Sequence, residues 1–163
     1  MKKNISRIII GLLALLLVFT LYGCQSKEKT FSKEGMSIVL DESFQEQPLE
    51  TQTAYYESKD KIVTILKEEF SVFTPYGMDA EDVSLQDYAQ MVVDNNGLTA
   101  KVEEKDGLVQ FVYEKSVDGS DITYLATVHK GIDAFWLVQF ACESKNYSKF
   151  YSIFVGYAKS FKG

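Results

Sequence analysis

Hydrophobic and polar positions follow two different periods along this chain, and the switches between them divide it into elements. Period two comes first. Met36-Ser37-Ile38-Val39-Leu40 after Gly35 predicts a short strand, and Ala54–Ser58 and Ile62–Glu68 predict a hairpin across Lys59-Asp60, a turn without glycine. At Ser84 the period lengthens. Leu85, Tyr88, Ala89 and Val92 fall at i, i+3, i+4 and i+7, with Asp87 three residues after the serine as a capping-box variant, so a helix is expected to run to Asn95-Asn96-Gly97. Strands return at Thr99–Lys105, Leu108–Val117, Asp121–Lys130 and Asp133–Cys142. Asp106-Gly107 and Asp118-Gly119 read as two-residue hairpin turns, and Gly131-Ile132 is expected to close the last pair.

Along that last strand Trp136, Val138 and Phe140 point one way while Phe135, Leu137 and Ala141 point the other, so both faces of the sheet need a cover. Tyr147, Phe150, Tyr151, Phe154, Ala158 and Phe161 form an aromatic stripe at helical spacing, with Lys149, Ser152, Lys159 and Lys162 toward the opposite side. This C-terminal helix is expected to cover one face and the helix at 84–94 the other. The expected fold class is α+β, a mostly antiparallel sheet with helices on both faces in an α-β-α sandwich.

The first 23 residues obey a different rule. Lys2, Lys3 and Arg7 precede an apolar run from Ile8 to Tyr22, which at 15 residues falls short of the roughly 20 that a spanning helix requires. The run reads as a secretory signal. Its end, Leu21-Tyr22-Gly23-Cys24, resembles the lipobox of bacterial lipoproteins. That resemblance implies cleavage before Cys24, recognition through Leu21 and Gly23, and acylation of the Cys24 thiol with diacylglycerol and palmitate-type chains. It places the protein on the extracytoplasmic face of a bacterial membrane, held by its N-terminal lipid. The expected partition is a signal peptide over 1–23, the lipidated cysteine and a flexible tether over 24–30 (Gln25-Ser26-Lys27-Glu28-Lys29-Thr30 after Cys24), and a single domain over 31–163.

Charge bears on how such a domain is anchored. Without residues 1–23, 14 basic residues face 23 acidic ones, a net of −9 for the remaining 140. Such a surface repels polyanions and anionic headgroups over a Debye length of about 8 Å, so nucleic acid is excluded as a partner and the lipid must do the anchoring. The composition, 46% hydrophobic with two cysteines, suits one globular domain and no disulfide framework.

From Gly35-Met36-Ser37-Ile38-Val39-Leu40 and the acidic turn to Phe44, through the hairpin, the helix opening Ser84-Leu85-Gln86-Asp87-Tyr88 and the four-strand meander, to Ala158-Lys159-Ser160-Phe161, the order of elements resembles the PsbP-like and DcrB-like domains. The resemblance covers nearly all of residues 31–163. It implies a non-enzymatic binding or assembly module and carries over no set of functional residues.

The chemistry-bearing residues of the chain agree with that implication. His129 and Cys142 are the single histidine and the single thiol left after lipidation. With Gly131-Ile132 as the turn, His129 faces Ala134 and Cys142 faces Asp121, about 26 Å apart at 3.3 Å per residue, too far for a nucleophile and its base. They provide no zinc ligand set, and the carboxylates at Asp79, Glu81 and Asp82 and at Asp118 and Asp121 do not follow the calcium-loop pattern. Neither a phosphate loop nor a nucleophile elbow is present, so no catalytic residue, metal or cofactor is assigned. The distinctive feature is Phe70-Ser71-Val72-Phe73-Thr74-Pro75-Tyr76-Gly77-Met78, an aromatic stretch entering a proline-glycine loop. Either it folds back as a lid on the sheet edge, or Phe73, Tyr76 and Met78 contact a partner. Tyr55 and Tyr56 form a weaker second pair, one of which must point outward. The expected function is that of a membrane-anchored extracytoplasmic lipoprotein, a non-enzymatic binding or assembly module of the cell envelope with a protein partner. The alternatives are a small-ligand-binding lipoprotein and an envelope enzyme.

Overall fold

A computed structural model describes residues 27–163; the signal segment, the lipobox and Cys24 lie outside the described residues. Among the described residues nine strands, two helices and two 3-10 segments follow in the order β1 Glu28–Lys33, β2 Met36–Asp41, β3 Gln45–Glu46, β4 Ala54–Glu57, β5 Ile62–Glu69, a 3-10 segment Phe70–Tyr76, α1 Leu85–Asn95, β6 Glu103–Lys105, β7 Leu108–Val117, β8 Ser120–Lys130, β9 Ala134–Glu143, a 3-10 turn Ser144–Asn146 and α2 Tyr147–Ser160. β1 and β2 form a two-stranded ribbon. The other strands make a seven-stranded antiparallel sheet in the order β3-β4-β5-β9-β8-β7-β6.

The alternation along β9 divides the interior in two. Trp136, Val138, Phe140 and Cys142 join Phe150, Phe154 and Ala158 of α2 and Ile38 and Leu40 of β2 in one core. On the opposite face Phe135 and Leu137 meet Tyr88, Ala89, Val92 and Val93 of α1. Each apolar face thus acquires its own cover, and the α-β-α arrangement follows from the strand pattern. No helix among the described residues is long and apolar enough to cross a membrane.

Local chemistry sets the boundaries. Ser84 caps α1, its hydroxyl accepting from the Asp87 N–H at 3.1 Å, and Gly97 closes the helix at φ +57°. Asp106-Gly107 and Asp118-Gly119 hold the paired positive φ values of a tight hairpin turn, as does Glu34-Gly35 between β1 and β2.

Three expectations need correction. The ribbon begins at Glu28, paired with Asp41, so residues 28–30, expected within a flexible tether, belong to a strand. Thr99–Lys105 pairs only over Glu103–Lys105; Leu98, Ala100 and Val102 pack on the core from irregular backbone, giving the alternation without the ladder. The third is at Gly131-Ile132, where Lys130 faces Phe135, two positions beyond the expected register, because Gly131 does not take the positive φ that a two-residue turn demands. Its N–H bonds the Ala134 carbonyl at 2.8 Å, and the Asp133 carbonyl receives the Phe70 N–H at 2.8 Å, tying the loop to the end of β5.

Candidate functional site

At the end of β5 the chain leaves the sheet as a single 3-10 segment, Phe70–Tyr76, and Gly77 stops it at φ +70°, its N–H bonding the Thr74 carbonyl at 3.0 Å. A left-handed backbone is easy for glycine and strained for other residues. The following turn is held from below. The Lys130 ammonium donates to the Glu81 carbonyl at 2.6 Å and the Val83 carbonyl at 3.0 Å while lying over the rings of Phe70 and Phe135 at 5.6 and 5.2 Å. One side chain from β8 thus ties down the turn that follows the 3-10 segment.

Beneath it lies an aromatic floor. Tyr88 stacks on Phe135 with 4.3 Å between centroids and 10° between planes, and Phe73 packs against both at 6.3 and 5.5 Å. The Tyr88 hydroxyl donates to the Glu68 carboxylate. Burial and the Glu68 charge push the Tyr88 phenol far above its usual range, so it stays a neutral donor.

Between the 3-10 segment and α1 this leaves a groove of about 680 Å³, lined by Glu68, Val72, Phe73, Tyr76 and Met78 on one side and by Tyr88, Met91, Val92, Asn95 and Asn96 on the other. All three loop residues expected at a partner contact meet here. They do not play one role. Phe73 is buried at 8% exposure and serves as a wedge in the floor, which corrects its assignment as a contact; Tyr76 is 78% exposed and Met78 37%, so these two form the rim. Fold-back and exposure are both true of the same segment. A shallower depression of about 470 Å³ shares Met78 and continues past Asp79 and Glu81.

Tyr88, Glu68 and Met91 went unassigned from the sequence. Tyr88 falls in the apolar stripe of α1, where a core position is expected, and Glu68 ends the expected strand Ile62–Glu68; nothing local shows that the phenol and the carboxylate meet.

The other candidates separate. The corrected register puts His129 opposite Trp136 and Cys142 opposite Thr123, which leaves six positions between them, about 20 Å at 3.3 Å per residue. Burial lowers the His129 pKa to about 4; its Nε2 lies 3.1 Å from Thr127 Oγ1 and its ring 4.7 Å from that of Phe161. Burial, with Asp60 and Glu143 nearby, raises the Cys142 thiol to about 11. A buried thiol so raised is a poor nucleophile. Tyr56 is fully buried and Tyr55 half-buried on the opposite face. Among the described residues no three His, Cys, Asp or Glu side chains converge where a metal could bind. At the other end of the sheet Ile62, Ile122, Tyr124 and Ala141 line a smaller depression of about 430 Å³.

No family model matches the chain, and no curated protein sequence matches it. Solved structures do. The cyanobacterial PsbP (CyanoP) of Synechocystis aligns over 88% of this chain and 98% of its own at 15% identity and a TM-score of 0.56. A protein of Bacteroides thetaiotaomicron aligns over 85% and 48% at 10% identity and 0.52. The Ran-binding protein Mog1p of Saccharomyces cerevisiae aligns over 85% and 96% at 11% identity and 0.50. At these identities the likeness concerns the fold, and the fold is PsbP-like.

Proposed function

We propose that the chain is a lipid-anchored extracytoplasmic lipoprotein that binds a protein partner of the cell envelope and carries out no chemistry of its own. The observation that carries the binding reading is the groove beside α1, where Tyr76 and Met78 stand exposed over a floor already filled by Phe73, Tyr88 and Phe135. A core does not need them. Aromatic and methionine side chains at a rim above a rigid floor are what a protein interface uses, since the ring adds contact area at little entropic cost and the thioether adapts its shape to the partner. The anchor rests on Leu21-Tyr22-Gly23-Cys24, and the net charge of −9 leaves the lipid as the means of membrane attachment.

The test places a photo-crosslinking residue at position 76 of the full-length protein in living cells, with Cys24→Ala alongside. One reproducible protein adduct, lost in Cys24→Ala and lost when Met78→Ser is added, is the expected result. Adducts at position 76 absent under conditions where a probe at Ile132 captures a partner would overturn the groove as the contact. Fractionation of Cys24→Ala with the membrane at the wild-type level would overturn the anchor.

A small-ligand reading has one observation of its own, the apolar depression at Ile62, Ile122 and Tyr124. It predicts that Ile122→Trp fills the space and abolishes any thermal shift produced by apolar small molecules.

A further inference from the structure

The groove differs from the rest of the surface in its charge. Positions 68 to 100, which build the 3-10 segment, the turn after it and α1, contain seven carboxylates and no Lys, Arg or His. Glu68 lines the groove itself, Glu81 lines the depression that continues past Met78, and Glu69 and Asp82 are exposed beside them. The basic group beneath this segment, Lys130, has its ammonium committed to the Glu81 and Val83 carbonyls. The result is an apolar slot whose bordering side-chain charges, Lys130 apart, are acidic.

We infer that the occupant of the groove is a protein segment that combines basic side chains with at least one large apolar anchor; this rests on the groove being the partner site. Three features of the slot fit the two halves of such a segment. Met78 and Met91 offer adaptable sulfur-bearing walls to an aliphatic or aromatic anchor. The exposed face of Tyr76 accepts a Lys or Arg head over its ring. The Glu68 carboxylate, already receiving the Tyr88 hydroxyl, gives a cation a fixed counter-charge at the floor. An acidic border also steers a basic segment during encounter, which raises the association rate at low salt.

The position of the groove favours a protein over a bilayer. Glu28, where the described chain begins to pair, lies opposite Asp41, and Asp41 lies 3.5 Å from Lys61 at the start of β5. Glu68 is at the other end of that strand, seven residues on, about 23 Å away at 3.3 Å per residue. A chain anchored just before Glu28 therefore presents the groove at its far end.

The experiment uses full-length protein in detergent micelles and three fluorescent 12-residue peptides: one alternating Lys with Leu and Phe, a second with Glu in place of every Lys, and a third with Ser in place of every Leu and Phe. Anisotropy should show binding of the first alone, weakening by roughly tenfold as salt rises from 50 to 300 mM. Tyr76→Ser with Met78→Ser should abolish it. Glu69→Gln, Glu81→Gln and Asp82→Asn together should weaken it severalfold and flatten the salt dependence, while neutralising Asp118 and Asp121 in the remote hairpin changes neither. Equal binding of the Lys and Glu peptides, binding of the all-polar Lys peptide as tightly as the first, or an unaltered affinity in the groove-acid variant would overturn the inference. In cells, an adduct at position 76 whose crosslinked segment lacks Lys and Arg sinks this inference and leaves the binding role standing; no adduct at position 76, with a partner captured elsewhere, sinks the groove reading itself.

Discussion

Asp41 keeps its charge at 8% exposure because donors converge on it. Burial pushes its pKa up, but hydrogen bonds from the Ser43 hydroxyl, the Tyr157 hydroxyl at 2.6 Å and the Ser43 N–H at 2.9 Å, with Lys61 3.5 Å away, outweigh that and hold the carboxyl below its usual range. The cluster joins β2 to α2 across the first core. Tyr157→Phe removes one donor without emptying space, and should cost about 1.5 to 3 kcal/mol in urea unfolding; a loss under half a kcal/mol would mean that solvent replaces the phenol. His129 works in the opposite sense. Its folded pKa of about 4 lies below the unfolded value near 6.5, so the unfolded chain takes up the proton first as pH falls, and stability declines from pH 6.5 down to about 4. A drop in Tm of about 5 °C between pH 7 and pH 5 is expected, with most of it gone in His129→Leu. The Asp41 contribution is lost at lower pH, below the usual carboxylate range, so the two are separable in one titration.

At the scale of elements, legibility followed how local each determinant is. The capped helix at Ser84 and the hairpins at Asp106-Gly107 and Asp118-Gly119 were readable because their determinants lie within four residues of each other. The Gly131 loop was misread because its conformation is decided by Asp133 and Phe70, residues 63 positions apart in sequence. The groove was half readable: the aromatic run marked the segment, but whether Phe73 or Tyr76 faced inward depended on a 3-10 segment and on where α1 lies. Glu28 to Thr30 are polar and gave no apolar period, yet they pair in register with Val39–Asp41 because the Glu34-Gly35 turn starts the ribbon. Lys130 is the element-scale device that sequence could not show. Lys130→Met keeps the apolar stem over Phe135 but removes both donors to the turn. Amide exchange over Asp79–Val83 should accelerate at least about tenfold, with Tm nearly unchanged. Unchanged exchange would assign the order of this turn to its internal bonds, such as the Asp79 carboxylate on the Glu81 N–H at 2.9 Å.

For the whole molecule, the consequence of β1 beginning at Glu28 is orientation. If Cys24 carries the anchor, three residues separate it from Glu28, and the four steps between them reach about 14 Å at full extension. The Glu28, Asp41 and Lys61 end must then stay within that distance of the lipid, and the length of β5 sets the groove on the far side. A net charge of −9 over residues 24–163 would reinforce the posture, since tipping the domain would bring more carboxylates toward anionic headgroups. This predicts an asymmetry measurable in reconstituted vesicles. A fluorophore at Lys59, in the turn beside Lys61, should be quenched by headgroup-level spin labels, whereas one at Ile132, which is 98% exposed at the groove end, should not. Equal quenching at both sites would mean that the domain lies flat, and the groove would then have to meet its partner at the membrane surface.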